Sequence, residues 1–594
     1  MNAAAIAFAV LLAVAPWEFA DGVRVGGLTI TLPEMLAAVA LLASGVALWR
    51  DRHQPDFAQH LRQCRWPLIA FGLWALVHVL SVTWAPTDHL VVLKYSLRVA
   101  GAMTLAMCAL VLGRHRTFRR TVVVGLITGL LMMVVLGVLE RRLGRDLELF
   151  LTLFRAEPTW MLGEQRLSLT FSHANGAAGY FELAVPPVLV GLAVAKTHWL
   201  RAGLIVVALV CAILLSLTYS RAGFGSAIVG AALLWVAAAR FAGTARGWLR
   251  GSALGYALVV VGAYVANPEM RARIGVDEHS YAATYTFERA CVGHVGETVT
   301  VPVHIRNRGR WALSDRAAPG SVMHTLLTPM GKLVVPYWDH HPLAPMPPHT
   351  ERTEMLQVVL PQRAGEYALA VDVMREQVLR ISQLGNPLAW LGCMVHPAGV
   401  DLQAAKLMAA QLRPPLDTSA VASGFRFSLE RRHYWRAALL LWERHPWLGI
   451  GADRFRLAHR EYLPFLAYDD RARAHSVPAE TAVDLGVLGL SVLALLVWQV
   501  GRRLWSVARY GSADWATVAV LGSLGGLAVH SQVDFFLCYT QLSMIIWPLV
   551  GIACGAVPVG RPPGLSAATP NPESSSALPS LDPRLPLRSH RAQK

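Results

Sequence analysis

Hydrophobic positions along this chain come in two textures. Long apolar runs near 3–16, 28–49, 67–83, 91–112, 121–139, 177–195, 201–219, 223–239, 249–266, 482–500, 516–533 and 541–559 have the length a helix needs to cross a bilayer. They predict about twelve transmembrane helices. Between Ala290 and Val395 the texture changes to short alternating stretches, "ETVTVPVHIRNRG", "TEMLQVVLP" and "GEYALAVDVMRE", separated by Gly, Pro and Asn. A period of two with turn residues between the runs predicts a β-sandwich. A third stretch, "SLERRHYWRAALLLWERHPWLGIG", places Trp435, Ala438, Leu439 and Trp442 at helical spacing, but its apolar part is too short to span. The expectation there is an amphipathic helix on the outer membrane surface, ended by His445-Pro446.

Composition agrees with the first texture. The 594 residues are 54% hydrophobic and 15% charged, with a mean hydropathy of +0.42, which excludes an ordinary soluble protein of this size. Orientation follows from the short loops. Arg50, Arg52, Arg62 and Arg65, then Arg114, Arg116, Arg119 and Arg120, then Arg240, Arg246 and Arg250, then Arg502, Arg503 and Arg509 mark one set of loops as cytoplasmic. Both termini are therefore expected inside and residues 267–481 outside. Much of the net charge of +16 is inside-loop arginine and requires no nucleic acid. The first run has no basic segment ahead of it and is expected to be a retained span. Cys291 and Cys393 both lie in the outside segment, where an oxidising compartment permits a disulfide.

The expected organisation is helices one to nine over 1–266, including an outside loop at 140–176; a periplasmic insertion over 267–430 with its β core at 290–395; an amphipathic helix and site loop over 431–481; three more helices over 482–559; and a Pro/Ser-rich cytoplasmic tail over 560–594.

Four segments at the outer boundary hold polar residues where burying them is costly: "GEQRLSLTFSHANGAAGY", "LTYSRAGFGS", "HPWLGIGADRF" and "AHSVPAETAVDLGVLG". In this order they resemble the O-antigen ligase and polymerase superfamily of integral membrane glycosyltransferases, which use polyprenyl-diphosphate-linked glycans. The resemblance covers roughly Trp160 to Gly489 and is interrupted by the sandwich, which itself resembles the immunoglobulin-like modules of some bacterial envelope glycosylation proteins. It implies transfer of a glycan from an undecaprenyl diphosphate carrier to an acceptor hydroxyl at the periplasmic face, in cell-surface polysaccharide or lipopolysaccharide biosynthesis. Direct attack implies inversion at the anomeric carbon. No Asp-x-Asp motif or P-loop stands out, so the reaction is expected to be metal-independent, without a cofactor; the best metal candidate is "WDHHP" at Trp338 to Pro342.

Residue roles follow from the same resemblance and from charge chemistry. His475 is the expected general base, since imidazole titrates near neutral pH. Arg221 and Arg431 match the family's diphosphate-binding arginines, and guanidinium suits phosphate because it donates two parallel hydrogen bonds. Arg166 and Asn175 match the loop before span six and either bind donor sugar or fix that loop. Arg436, Arg454 and Glu480 are further substrate-binding candidates, with Glu480 or Asp484 orienting the imidazole or pairing with an arginine.

Blander readings stand beside these. Arg221 snorkels to the headgroups, His475 only caps span ten, and Arg431, with Arg432 and Arg436, forms a solvated cationic face. The expected partners are the lipid-linked glycan, a glycan, lipid or protein acceptor, membrane lipids, and an envelope protein for the sandwich. Ligase, polymerase and protein O-glycosylation activities share these motifs. Two other function classes compete: a flippase of lipid-linked sugars, which calls for charges in the middle of several spans, and a non-catalytic envelope scaffold with a glycan-binding sandwich.

Overall fold

A computed structural model describes residues 2–25, 28–155, 160–161, 164–267, 280–315, 319–329, 334, 338–375, 379–384, 386–403, 431–462, 472–510 and 514–556. The expected tail at 560–594 lies outside them. Each apolar run of the sequence contains a helix. In chain order the helices are α1 (Asn2–Val14), α2 (Leu32–Asp51), α3 (Pro55–Gln63), α4 (Arg65–Trp84), α5 (His89–Leu112), α6 (Arg116–Leu143), α7 (Arg145–Leu151), α8 (Ala174–Val194), α9 (His198–Leu217), α10 (Arg221–Ala237), α11 (Gly243–Ala266), α12 (Arg431–Arg444), α13 (Val477–Tyr510), α14 (Trp515–His530) and α15 (Thr540–Gly555). Among the described residues, eight helices are long and apolar enough to cross a membrane: α2, α4, α5, α6, α8, α9, α11 and α13. Another four, α1, α10, α14 and α15, are apolar but only 10–17 residues long. This is a polytopic helical membrane protein.

The bundle is tied together by pairs distant in sequence: α1 packs on α6, α5 on α15, and α14 on both α8 and α10. Helix α8 is buried along almost its whole length, which explains why its sequence is small and apolar on every face rather than on one stripe. Lipid-facing helices differ. In α2, Val39, Leu42 and Val46 are exposed apolar residues, as expected where hydrocarbon rather than water is the solvent.

Two small hairpins, β1 (Val23–Val25) with β2 (Leu28–Ile30) and β3 (Trp160–Met161) with β4 (Glu164–Gln165), decorate the bundle. The inserted segment forms β5 (Ala283–Phe287), β6 (Cys291–His294), β7 (Thr298–Asn307), β8 (Gly320–Leu327), β9 (Asp339–Leu343), β10 (Glu351–Val359), β11 (Gly365–Arg375), β12 (Leu379–Arg380) and β13 (Ala389–His396). One sheet has the order β10-β7-β5; the other runs β6-β13-β11-β8-β9, with β12 beside β11. Val301, Val303, Ile305, Leu356 and Val358 from the first sheet share one core with Leu369, Val371, Val373 and Val395 from the second. Strand β10 alternates buried and exposed as its sequence predicts. Strand β11 does not, because Met323, Leu327, Trp338 and Leu388 gather with its Ala370 and Met374 in a second apolar cluster. Cys291 and Cys393 face each other across the parallel pair β6 and β13 and form a disulfide. "WDHHP" lies on β9, where His340 sits beside Ser321 and His341 beside Glu354.

Helix α12 has one buried and one exposed face. Its Tyr434, Ala437, Ala438 and Leu441 pack in a small core with Ile450, Phe455, Ala474 and Val483, leaving Trp435 and Leu439 outward. The helix is a lid on the bundle's polar end, with an apolar outer edge.

Candidate functional site

The polar residues converge where α5, α8 and α13 begin. The loop carrying "HPWLGIG" is stapled to α13 by its main chain. Ile450 N–H donates to Val483 O (2.9 Å), Gly451 N–H to Asp484 O (2.9 Å), Val487 N–H to Pro446 O (2.8 Å) and Leu488 N–H to Trp447 O (3.2 Å). These bonds are possible because α13 breaks at Gly486, whose φ of 63° frees helical partners for the loop. A Cβ at Gly486 would lie 2.4 Å from the Trp447 backbone, and one at Gly449 (φ 69°) 2.4 Å from that of Asp484. Both positions therefore require glycine twice over, for the left-handed backbone and for the close approach.

Acidic side chains then fix the segment beyond the staple. Asp484 accepts from the backbone N–H groups of Asp453 (2.8 Å) and Phe455 (3.0 Å). Asp453, so placed, meets Arg456 at 3.0 Å and Arg473 at 2.5 Å. Arg473 also contacts Glu480 at 3.1 Å, and Glu480 accepts the Ala474 N–H at 2.7 Å. Burial alone would lower the Arg473 guanidinium, but the carboxylates of Asp453 and Glu480 reverse that and hold it well above the ordinary arginine value.

Between Ala474, tied to Glu480, and Val477, whose N–H donates to Ser531 O (2.9 Å), His475 is forced to a φ of 50°. Such a conformation is uncommon for a residue with a Cβ, and here it turns the imidazole out of the loop. Ser476 caps α13 through the Ala479 N–H (3.3 Å). The imidazole of His475 packs edge-on to Tyr434, with ring centroids 5.3 Å apart. Its Nδ1 lies 3.5 Å from Asp534 Oδ1, and its side chain is one-third exposed (33%). Asp534 in turn accepts from Asn175 Nδ2 (2.6 Å), and Arg166 holds that Asn175 through Nη2 (3.1 Å) while its Nε donates to Thr218 O (2.8 Å). Behind Asp534, His530 is buried against Glu182 at 2.7 Å.

His475, Asn175, Arg473, Asp453, Asp534 and Tyr434 line a cavity of about 750 Å³, together with His173, Lys94, Arg98 and Cys538. Burial pushes the Cys538 thiol up to about 12, so it is a neutral wall and not a thiolate nucleophile.

The sequence candidates divide in this light. His475 and Asn175 line the cavity, whereas buried Arg166 and Glu480 stand behind it as supports. Arg454 is spent elsewhere: its guanidinium binds the Thr87 carbonyl, the Thr87 hydroxyl (2.6 Å) and Asp88 (3.1 Å), fixing the turn before α5. Arg436 is exposed on α12, and Arg221 is exposed at the first residue of α10; neither lines the cavity. Arg431 opens α12, but its side chain lies outside the described residues. The sequence reading missed Asp534, Arg473, Asp453 and Lys94 as site residues. Asp534 carried a signal, as the lone acid of the short loop "DFFLCYTQ" between two apolar runs.

A long-helix bundle with a polar cavity at one end defines a class, the polytopic membrane protein with a site at the mouth of its helices. The family comparison narrows it. The O-antigen ligase family model matches residues 415–494, the part of the chain holding α12, the stapled loop, His475 and the first half of α13. The match supports a membrane protein of O-antigen ligase or polymerase type. No curated protein matches the chain with significance. Among solved structures, the alkylpurine DNA glycosylase AlkC of Pseudomonas fluorescens, bound to DNA containing an abasic site analog, aligns at 9% identity over 56% of this chain and 99% of its own. Its TM-score of 0.16 carries no argument about fold or function.

Proposed function

We propose that the protein is a glycosyltransferase that moves a glycan from a polyprenyl diphosphate carrier to an acceptor hydroxyl, with His475 as general base. The acceptor oxygen attacks the anomeric carbon as its proton passes to His475 Nε2. The bond from that carbon to the diphosphate oxygen breaks, the electron pair leaves with the lipid diphosphate, and the anomeric centre inverts. Asp534 faces Nδ1, so it orients the ring with Nε2 towards the acceptor. Asn175 and Arg166 hold Asp534 in turn. The family pattern gives Arg221 and Arg431 a diphosphate-binding role, but Arg221 does not line the cavity, so this reading leaves the diphosphate to cations that do line it; the reaction proceeds without a metal ion.

The observation that carries this reading is the chain His475, Asp534, Asn175 and Arg166 opening on a polar cavity, with His475 itself in the part of the sequence that the ligase family model matches. The disulfide between Cys291 and Cys393 supports the placement of the β module in the periplasm, since such bonds persist in oxidising compartments. The test is complementation of surface glycan in a deletion strain by wild type, His475→Ala and Asp534→Asn, with membrane levels checked. Loss of glycan with accumulation of lipid-linked donor supports the transferase. Wild-type glycan from both variants sinks it.

A further inference from the structure

The polar cavity does not end at the helix mouth. Its residues Lys94 and Arg98 also line a second, mostly apolar furrow of about 250 Å³ between α2 and α5. Thr29, Glu34, Ala38 and Leu41 form one wall, and Lys94 and Gly101 lie on the other. Seven residues separate Lys94 from Gly101, so the furrow descends about 10 Å along α5. Leu42 and Val39 on α2 and Leu97 on α5 are exposed apolar side chains at the same depth, as befits a surface lined by hydrocarbon.

The two cations at the junction are not equivalent. Arg98 is answered by Glu34 at 2.6 Å and by the Thr29 carbonyl at 3.2 Å. Lys94 has only the Thr29 hydroxyl at 3.5 Å, and among the described residues no carboxylate lies within ion-pair distance of it. Lys94 lines the polar cavity with no carboxylate to meet it, so its ammonium is open to an anion there. Arg221, by contrast, does not line the cavity that holds His475.

We infer that the furrow between α2 and α5 seats the lipid chain of the polyprenyl diphosphate donor, with the diphosphate at Lys94 and the glycan in the polar cavity beside His475. This assignment rests on the transferase reading and adds to it the donor's route from the membrane. Charge complementarity selects the headgroup, and the continuity of an apolar furrow with a polar cavity selects a molecule with one apolar and one polar end. The signal in the sequence is "HLVVLKYSLRVAG", where Lys94, Arg98 and Gly101 recur at helical spacing inside an otherwise greasy run.

The experiment uses the full-length protein in nanodiscs and a benzophenone-bearing polyprenyl diphosphate, whose affinity and cross-linked peptides are measured. Wild type should label on α2 or α5. Lys94→Ala should weaken binding at least about tenfold, the loss of one charge-assisted contact. Gly101→Leu should weaken it comparably by filling the furrow, and the bundle tolerates it because a Cβ at Gly101 meets nothing within 4 Å. Inorganic diphosphate separates the headgroup from the chain: its binding should fall in Lys94→Ala and stay unchanged in Gly101→Leu. Wild-type affinity for the lipid in both variants, labels confined to other helices, or loss in Arg221→Ala with retention in Lys94→Ala would overturn the assignment. Transfer by His475→Ala is measured separately. Retained transfer there refutes the catalytic reading, whatever the lipid data show.

Discussion

The bundle mouth and the β module both bury carboxylates, and they differ in the donors that meet them. At the mouth every acid is answered: Asp484 by two backbone N–H groups, Asp453 and Glu480 by Arg473, Asp534 by Asn175. In the β module, Asp372 is almost fully buried, with a Ser382 hydroxyl at 2.6 Å and its neighbour's N–H at 2.8 Å. Burial therefore dominates and pushes its carboxyl up to about 6. The contrast is one of donors: a guanidinium reaches Asp453 and Glu480, whereas a hydroxyl and one backbone N–H hold Asp372. The acids at the mouth hold loops and cations in place around one partly exposed imidazole, whereas Asp372 is driven towards its neutral form.

The largest effect that tests this contrast is at the imidazole itself. His475→Ala is expected to lower transfer at least about 100-fold, the usual worth of a general base, as measured by turnover of lipid-linked donor in membranes. Asp534→Asn keeps the shape but removes the charge facing Nδ1, and should cost roughly tenfold to hundredfold in the same assay with unchanged membrane levels. Equal activity of Asp534→Asn and wild type would place Asp534 with Asp372, as a merely tolerated group.

Gly486→Ala attacks the scaffold under the site. It forces a Cβ onto the Trp447 backbone at a positive φ, and a loss of about 2 kcal/mol or more is expected, read as a lowered melting temperature in detergent. The smallest functional effect is expected from Asp372→Asn, which should leave transfer intact. Its signature is in stability. Below about pH 4 the carboxyl is protonated in both folded and unfolded chains. Between about 4 and 6 only the unfolded chain ionises, so the module loses stability as pH rises; above 6 the loss levels off at no more than about 3 kcal/mol. Hydrogen exchange across β11 at several pH values, corrected for intrinsic rates, should show that slope in wild type and none in Asp372→Asn.

The helices were legible because hydrocarbon imposes a length and a composition that no other environment requires, and the β strands because a half-buried sheet writes a period of two. Strand β11 hid from that rule, since both of its faces are covered. His475 was legible by its place before a helix and by resemblance. Asp534, nearly sixty residues further on, was not, because only the fold of α13 and α14 brings the two loops together. Arg454 misled for the opposite reason: an arginine beside the site motif is read as a ligand, yet the nearest unmet acceptors are in the turn at Thr87 and Asp88. Side-chain chemistry is written in the sequence, but the choice among partners is made by packing.

The staple between the "HPWLGIG" loop and the break in α13 runs through main-chain atoms, with Gly449 and Gly486 pressed against each other's strands of backbone. Mutational drift can thus reshape most side chains of that loop, or exchange the inserted module ahead of it, while the imidazole keeps its position. At such a site the spacing between two glycines matters more than the letters between them, and the imidazole takes its address from residues that have no side chain at all.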